Sequence, residues 1–163
     1  KHLVTSYLQK YFLSQATSEK LQFYRLLQFI SFVRTYSGKK EIVNGQNYTT
    51  VQFRLLDFMK TVNCQANSYQ RQQFLQFFNQ LQSLPPFREK FADRKFRQLL
   101  FFPVVNAIQE TKRGPWIIQI SVAEHLMKDA YPFHLPPSFF TYSNTMNLDV
   151  KLSIIKATIA ISK

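Results

Sequence analysis

A chain that carries the run EKLQFYRLLQFISFVRTY at residues 19–36 must find cover for nearly all of it. At 100° per residue its apolar side chains spread over most of the helical circumference, so this helix has no broad face to give to water. It is expected to sit deep, with its aromatics filling a core rather than lining a ligand box. Arg25 and Gln28 interrupt LQFYRLLQFISFV well short of the roughly 18 apolar residues that a membrane span requires. The rest of the chain therefore has to wrap this segment. Thr17 or Ser18 suits its N-cap, and Glu19 is favourable in its first turn. Upstream, Leu3, Val4, Tyr7, Leu8, Tyr11 and Phe12 recur at spacings of three and four, which predicts another helix. Residues 1–36 thus read as an N-terminal helical lobe.

Gly38 and Gly45 bracket a short basic stretch, and residues 37–48 read as a hinge or loop. From Thr49 the pattern is helix, link, helix. TTVQFRLLDFMKTV carries Val51, Leu55, Leu56, Phe58, Met59 and Val62 on one broad face, NCQANS is turn-like, and Ser68 stands where an N-cap belongs ahead of YQRQQFLQFFNQLQSL. Pro85-Pro86 stops that helix. Beyond PFREKFADRKFR the period changes: QLLFFPVVNAIQE and PWIIQISVAEHLM are β-branched runs separated by turn residues, which predicts two antiparallel strands. The prolines of AYPFHLPPSFFTYSN predict an irregular connection. Residues 146–163 are read as a C-terminal helix or strand, with Leu148, Leu152, Ile155 and Ile159 favouring a helix and ATIAIS a strand. The chain starts KHLVTSY, without Met or an apolar signal core, and is expected to be part of something longer. The fold class expected is mainly α with a small antiparallel β-hairpin: a winged helix-turn-helix-like unit over residues 49–145 with an N-terminal helical extension.

Charge enters at this point. The excess of 21 Lys+Arg over 9 Asp+Glu, a formal +12, suits a polyanionic partner. On the helix after Ser68, Phe74, Leu75, Phe77, Phe78, Leu81 and Leu84 fall on one side. Tyr69, Gln72, Gln76, Asn79, Gln80 and Ser83 fall on the other. Such a face is either simply solvated or able to read bases, since Gln and Asn can pair bidentately with adenine N6 and N7 in the major groove. Gln72, Gln76 and Asn79 are the candidate base contacts. Arg71 at the helix start, Arg94, Lys95 and Arg97 in the basic link, and Lys112 and Arg113 at the turn are the candidate backbone contacts. In TKRGPW the turn is either a plain hairpin or a basic wing lying along the sugar–phosphate backbone, with Gly114 allowing a tight bend. Trp116 is expected in the core, with Phe74, Phe77, Phe78 and Leu81, fixing helix against hairpin. The partner expected is double-stranded DNA, with RNA as the alternative polyanion and a homodimer as one state. Localisation is expected to be cytoplasmic, organellar or nucleoid-associated.

The run VQFRLLDFMKTVNCQANSYQRQQFLQFFNQLQSLP, followed by LLFFPVVNAIQETKRGPWIIQISVAEHLM, resembles the winged-helix domain of plasmid replication initiator proteins. SVAEHLM is similar to the short helical turn that follows the second strand there, and FFTYSN to the phrase after it. The likeness covers about residues 50–145 and rests on pattern. It implies DNA binding at repeated sites, with monomers and dimers as alternate states. The family continues with a second winged-helix copy, for which the stretch up to Lys163 is too short.

A protein-binding scaffold is the rival class. Helices followed by antiparallel strands also resemble the NTF2-like domain of conjugation (type IV secretion) components, in which GPWIIQISV would be a core strand. Chemistry has less support. Cys64 is the only cysteine, so neither an internal disulfide nor a Cys-based zinc site can form, and His2, His125 and His134 share no ligand spacing. No Gly-rich phosphate loop is present. No cofactor or metal is expected. The enzyme alternative is a Mg-dependent nuclease built on the acid-x-Lys triplet Asp149-Val150-Lys151, with Glu124 or Asp129 as partner.

Overall fold

Helix α1 (Thr17–Val33) is the column around which the chain is built, and every residue from Phe23 to Val33 is buried. The computed structural model describes residues 17–43, 45–84, 87–90, 94–124, 126, 139 and 147–162. The helix expected over residues 3–12 and the proline-rich connection before residue 139 lie outside them. After α1 come β1 (Lys39–Val43), β2 (Gln46–Arg54), α2 (Leu55–Thr61), α3 (Ser68–Leu81), β3 (Phe87–Lys90), β4 (Phe96–Leu99), β5 (Val105–Ile108), β6 (Ile117–Ala123) and α4 (Leu148–Ser162). Strands β1, β2, β6 and β5, in that order, form one antiparallel sheet, and β3 and β4 form a separate hairpin.

The fold is therefore mixed α+β, and the expectation of a mainly α chain with one small hairpin is corrected. Two stretches account for the change. Residues 37–48, expected as a hinge, contain β1 and the start of β2, joined through Gly45 at φ +76°. Residues 49–54, expected as the first turns of a helix, continue β2. Thr49, Val51 and Phe53 share one buried face, while on the other face Gln52 and Arg54 are exposed and Tyr48 is covered. Thr49, Thr50 and Val51 are β-branched, and the strand has partners on both sides. Val51 sits opposite Ile120 and Phe53 opposite Ile118, and the Thr50 and Ser121 hydroxyls share a hydrogen bond of 2.9 Å. Helix begins only at Leu55.

The faces of these elements close on α1. Phe29 lies 5.9 Å from Phe53 of β2, 6.1 Å from Phe58 of α2 and 5.2 Å from Phe78 of α3, ring centroid to centroid. Most of these pairs are edge-on, the geometry that the aromatic quadrupole prefers. Each buried Phe contributes about 1.5–3 kcal/mol through burial alone. Helix α4 packs on α1 as well, where the Lys151 ammonium stands 4.8 Å over the Tyr24 ring and burial pushes its pKa down. The stretch ATIAIS continues this helix, so α4 takes the helical of the two readings. Among the described residues no helix is long and apolar enough to cross a membrane.

Candidate nucleic-acid interface

Helix α3 begins at the cap. Asn67, extended at φ −92° and ψ 169°, accepts a hydrogen bond from the Gln70 amide through Oδ1 at 2.8 Å. The cap thus lies one residue ahead of the expected Ser68. Asn has the longer reach to the third amide, and Ser68 instead receives a weak bond from Arg71. Phe74, Leu75, Phe77, Phe78 and Leu81 are buried, and Phe58 meets Phe74 edge-on at 5.3 Å, which locks α2 to α3. Tyr69, Gln72, Gln76, Asn79 and Gln80 are exposed. The amide-lined face is open along its whole length and carries no charge.

The turn at TKRG is built for firmness. Gly114 N–H donates to the Thr111 carbonyl at 3.0 Å, which puts Lys112 and Arg113 at the two central positions of a β-turn. Neither adopts a positive φ, so the turn is of the common kind rather than a primed hairpin turn. Gly114 does not adopt one either. Its requirement is steric, since a Cβ there would collide with Thr111 Oγ1. The Gln109 amide donates to the Gly114 carbonyl at 2.8 Å and closes the tip from inside. Lys112 and Arg113 are fully available to solvent.

Between tip and helix lies a cleft of ≈ 520 Å³, whose lining includes Leu55, Leu56, Arg71, Lys112, Arg113 and Trp116. Two ties hold its walls. Leu55 N–H donates to the Trp116 carbonyl at 2.9 Å, joining the start of α2 to the start of β6, and α3 packs against β5. Arg71 curls back over the cap, its guanidinium donating to the Ala66 carbonyl at 3.3 Å and to Ser68 Oγ at 3.4 Å. Both bonds are long and go to uncharged acceptors, so an anion can displace them. No carboxylate is among the described residues that line it.

Of the expected backbone contacts, Arg71, Lys112 and Arg113 meet in this cleft, although some forty residues of chain separate helix start from tip. Gln72, Gln76 and Asn79 are exposed on the same helix but do not line it. Arg94 and Lys95 are exposed at the turn of the β3–β4 hairpin, away from the cleft, Arg94 at a left-handed φ of 66°. Arg97 belongs to β4, and its side chain lies outside the described residues. Trp116, expected in the core, packs against it but is only half-buried and also lines the cleft.

Sequence reasoning missed Arg25, which is 8% exposed and places its guanidinium 5.0 Å over the Phe74 ring beneath α3. Burial pushes its pKa down, and Cys64 and Tyr69 pull it partly back. Burial pushes the Cys64 thiol up, against the opposing pull of Arg25, so the thiol stays protonated at neutral pH. Positions two apart on helix α4 point to different sides, so Asp149 and Lys151 do not share a face. The Lys151 ammonium stands over Tyr24, and the partner candidate Asp129 lies outside the described residues. Among the described residues no group of three or more His, Cys, Asp or Glu gathers as a metal site.

Comparison with protein-family models, with curated proteins and with solved structures finds no match to this chain. Its function has to be argued from its own geometry.

Proposed function

We propose that this chain binds double-stranded DNA through a winged-helix-like surface, without chemistry of its own, in the manner of the replication initiators it resembles. One observation carries the reading: Arg71 in the first turn of α3 and Lys112 and Arg113 at the tip line a single cleft, with no carboxylate among its described lining residues. Connectivity supports it. Strand β2 precedes the α2–α3 pair, β5 and β6 follow with the cationic turn between them, and β6 lies between β2 and β5 in the sheet. That is the order in which a winged helix presents its second helix and its wing on one side.

In this arrangement α3 offers its amide face to the major groove, where Gln72, Gln76 and Asn79 meet base edges. The tip rides the adjacent backbone, and Arg71 anchors a phosphate at the helix N-terminus, where the amide dipoles also favour an anion. Phosphate contacts position the protein and the amides supply sequence preference. The formal +12 of the chain adds long-range attraction and rapid encounter.

The test is retention of a fully paired duplex in a gel-shift at low salt, about 50 mM, beside single-stranded DNA and RNA of the same sequence. Duplex retention that weakens steeply with salt supports the reading. No retention of paired duplex ends it, and if protein components of a secretion assembly are then captured, the scaffold class takes its place.

A further inference from the structure

The cleft holds more than phosphate contacts require. Its charged rim is Arg71, Lys112 and Arg113, but its wall is apolar and aromatic: Leu55, Leu56 and Trp116. A backbone phosphate would satisfy the rim and leave that wall dry and unfilled. Trp116 is half-buried, packs against the core and lines the cleft, and its backbone carbonyl accepts from the Leu55 amide. Gln109, also in the lining, commits its amide N–H to Gly114 and leaves Oε1 as an acceptor. A flat ring, an acceptor beside it and cations at the mouth are the parts that hold an unpaired base with its flanking phosphates. The volume of ≈ 520 Å³ falls in the range of about 300–1,000 Å³ typical of sites that enclose a small ligand.

We infer that this cleft captures one unpaired nucleotide of a DNA strand, its base stacked on Trp116 and its phosphates held by Arg71, Lys112 and Arg113. The inference rests on the duplex-binding reading and deepens it: the preferred substrate becomes a duplex with a locally opened base. Charge complementarity decides the occupant, because three cations with no carboxylate among the described lining residues favour an anionic nucleotide over a cationic or neutral apolar guest. A protein that binds duplex on α3 and holds an extruded base beside it would favour strand opening next to its own site.

Trp116 is the only tryptophan, so its emission reports on the cleft directly. The probes are a paired duplex, the same duplex with a single unpaired thymine, and free thymidine monophosphate. The bulged duplex should quench Trp116 emission and bind about 5- to 150-fold more tightly than the paired one, the span that one base–aromatic stack contributes. Trp116→Leu should erase that preference while leaving paired-duplex binding in place, and Trp116→Phe should keep part of it. If Trp116→Leu does not fold, quenching in the unaltered protein carries the test. Equal binding of paired and bulged duplex overturns the inference and leaves the duplex reading standing. A bulge preference without change in Trp116 emission overturns it too, and quenching by the free nucleotide alone places the ligand off DNA and does the same. Failure to bind either duplex removes the duplex reading, and this one with it.

Discussion

Replacing Lys112 and Arg113 together by Ala isolates the tip. Both side chains are exposed, and the turn beneath them is held by the Gly114–Thr111 and Gln109–Gly114 bonds, which the change leaves intact. Stability should move by no more than about 0.5 kcal/mol, as for ordinary surface substitutions. Binding should change in a defined way. Each phosphate neutralised adds about 0.9 to the steepness of the log–log salt plot, so Arg71, Lys112 and Arg113 supply about 2.7, rising to about 4.5 if Arg94 and Lys95 also engage. Losing two contacts should flatten the slope by about 1.8. Taking the counterion contribution as zero near 1 M salt, those two contacts are worth about 1.8 log units at 0.1 M and about 1.3 at 0.2 M. The variant should therefore bind about 60-fold more weakly at 0.1 M salt but only about 20-fold more weakly at 0.2 M. The loss should be the same for every duplex sequence, because backbone contacts read none. Fluorescence anisotropy on labelled duplexes at four or five salt concentrations gives both numbers. An unchanged slope, or a loss confined to one sequence, would refute the placement of the tip on the backbone.

Gln76→Ala should cost about 1–3 kcal/mol at a preferred duplex and little elsewhere, read by competition between duplexes, with the melting temperature unmoved. Phe29→Ala, at the centre of the aromatic contacts, should lower unfolding free energy by about 3–5 kcal/mol in urea denaturation. Gly38→Ala should cost about 1–3 kcal/mol, because an added Cβ would stand 2.6 Å from the Thr50 carbonyl oxygen, a backbone atom that cannot swing away. Cys64 carries a pH prediction. Its thiol pKa is raised by burial, so its contribution to stability is fully present below the unfolded value of about 8.5 and is lost as pH rises through the folded value. The stability difference between the natural chain and Cys64→Ser should hold steady up to about pH 8 and shrink above it, and a constant difference through pH 10 would count against that environment.

What the sequence showed and what it hid divide along a physical line. The depth of α1 was legible because a helix apolar on all sides has only one stable place. Helix α3 was legible too, its cap one residue off, because the amphipathic period is local to it. The stretch 49–62 was not. Val51, Leu55, Phe58, Met59 and Val62 fit helical spacing as well as Thr49, Val51 and Phe53 fit a buried strand face. Pairing with β6, some seventy residues later in the chain, decides between them. Strand β1 left no pattern at all: it is an edge strand exposed along nearly its full length, held to β2 through backbone bonds that composition does not record. At the site, the meeting of Arg71 with Lys112 and Arg113 follows from the expected order of elements, which needs no distances. The role of Trp116 did not, because a lone tryptophan beside an apolar strand reads as core until the fold places it, half-buried, in the lining of a cleft.

The same bonds that hid the cleft from the sequence make it useful. Its walls come from α2, α3 and the β5–β6 turn, and each is fixed before any ligand arrives. Phe58 against Phe74 fixes α2 to α3, Leu55 N–H to the Trp116 carbonyl fixes α2 to β6, and Gln109 to Gly114 fixes the tip to itself. A surface assembled this way pays little ordering entropy on binding. Breaking one tie should therefore weaken binding more than the lost contact itself accounts for. Gln109→Ala touches no cation, yet it frees the turn that carries two of them. It should lower duplex affinity while leaving the salt slope near its original value, because the charges are still there and only their placement has loosened. A flattened slope would mean that the loosened tip no longer brings its cations to the backbone, and no loss at all would mean that the tip is rigid without it.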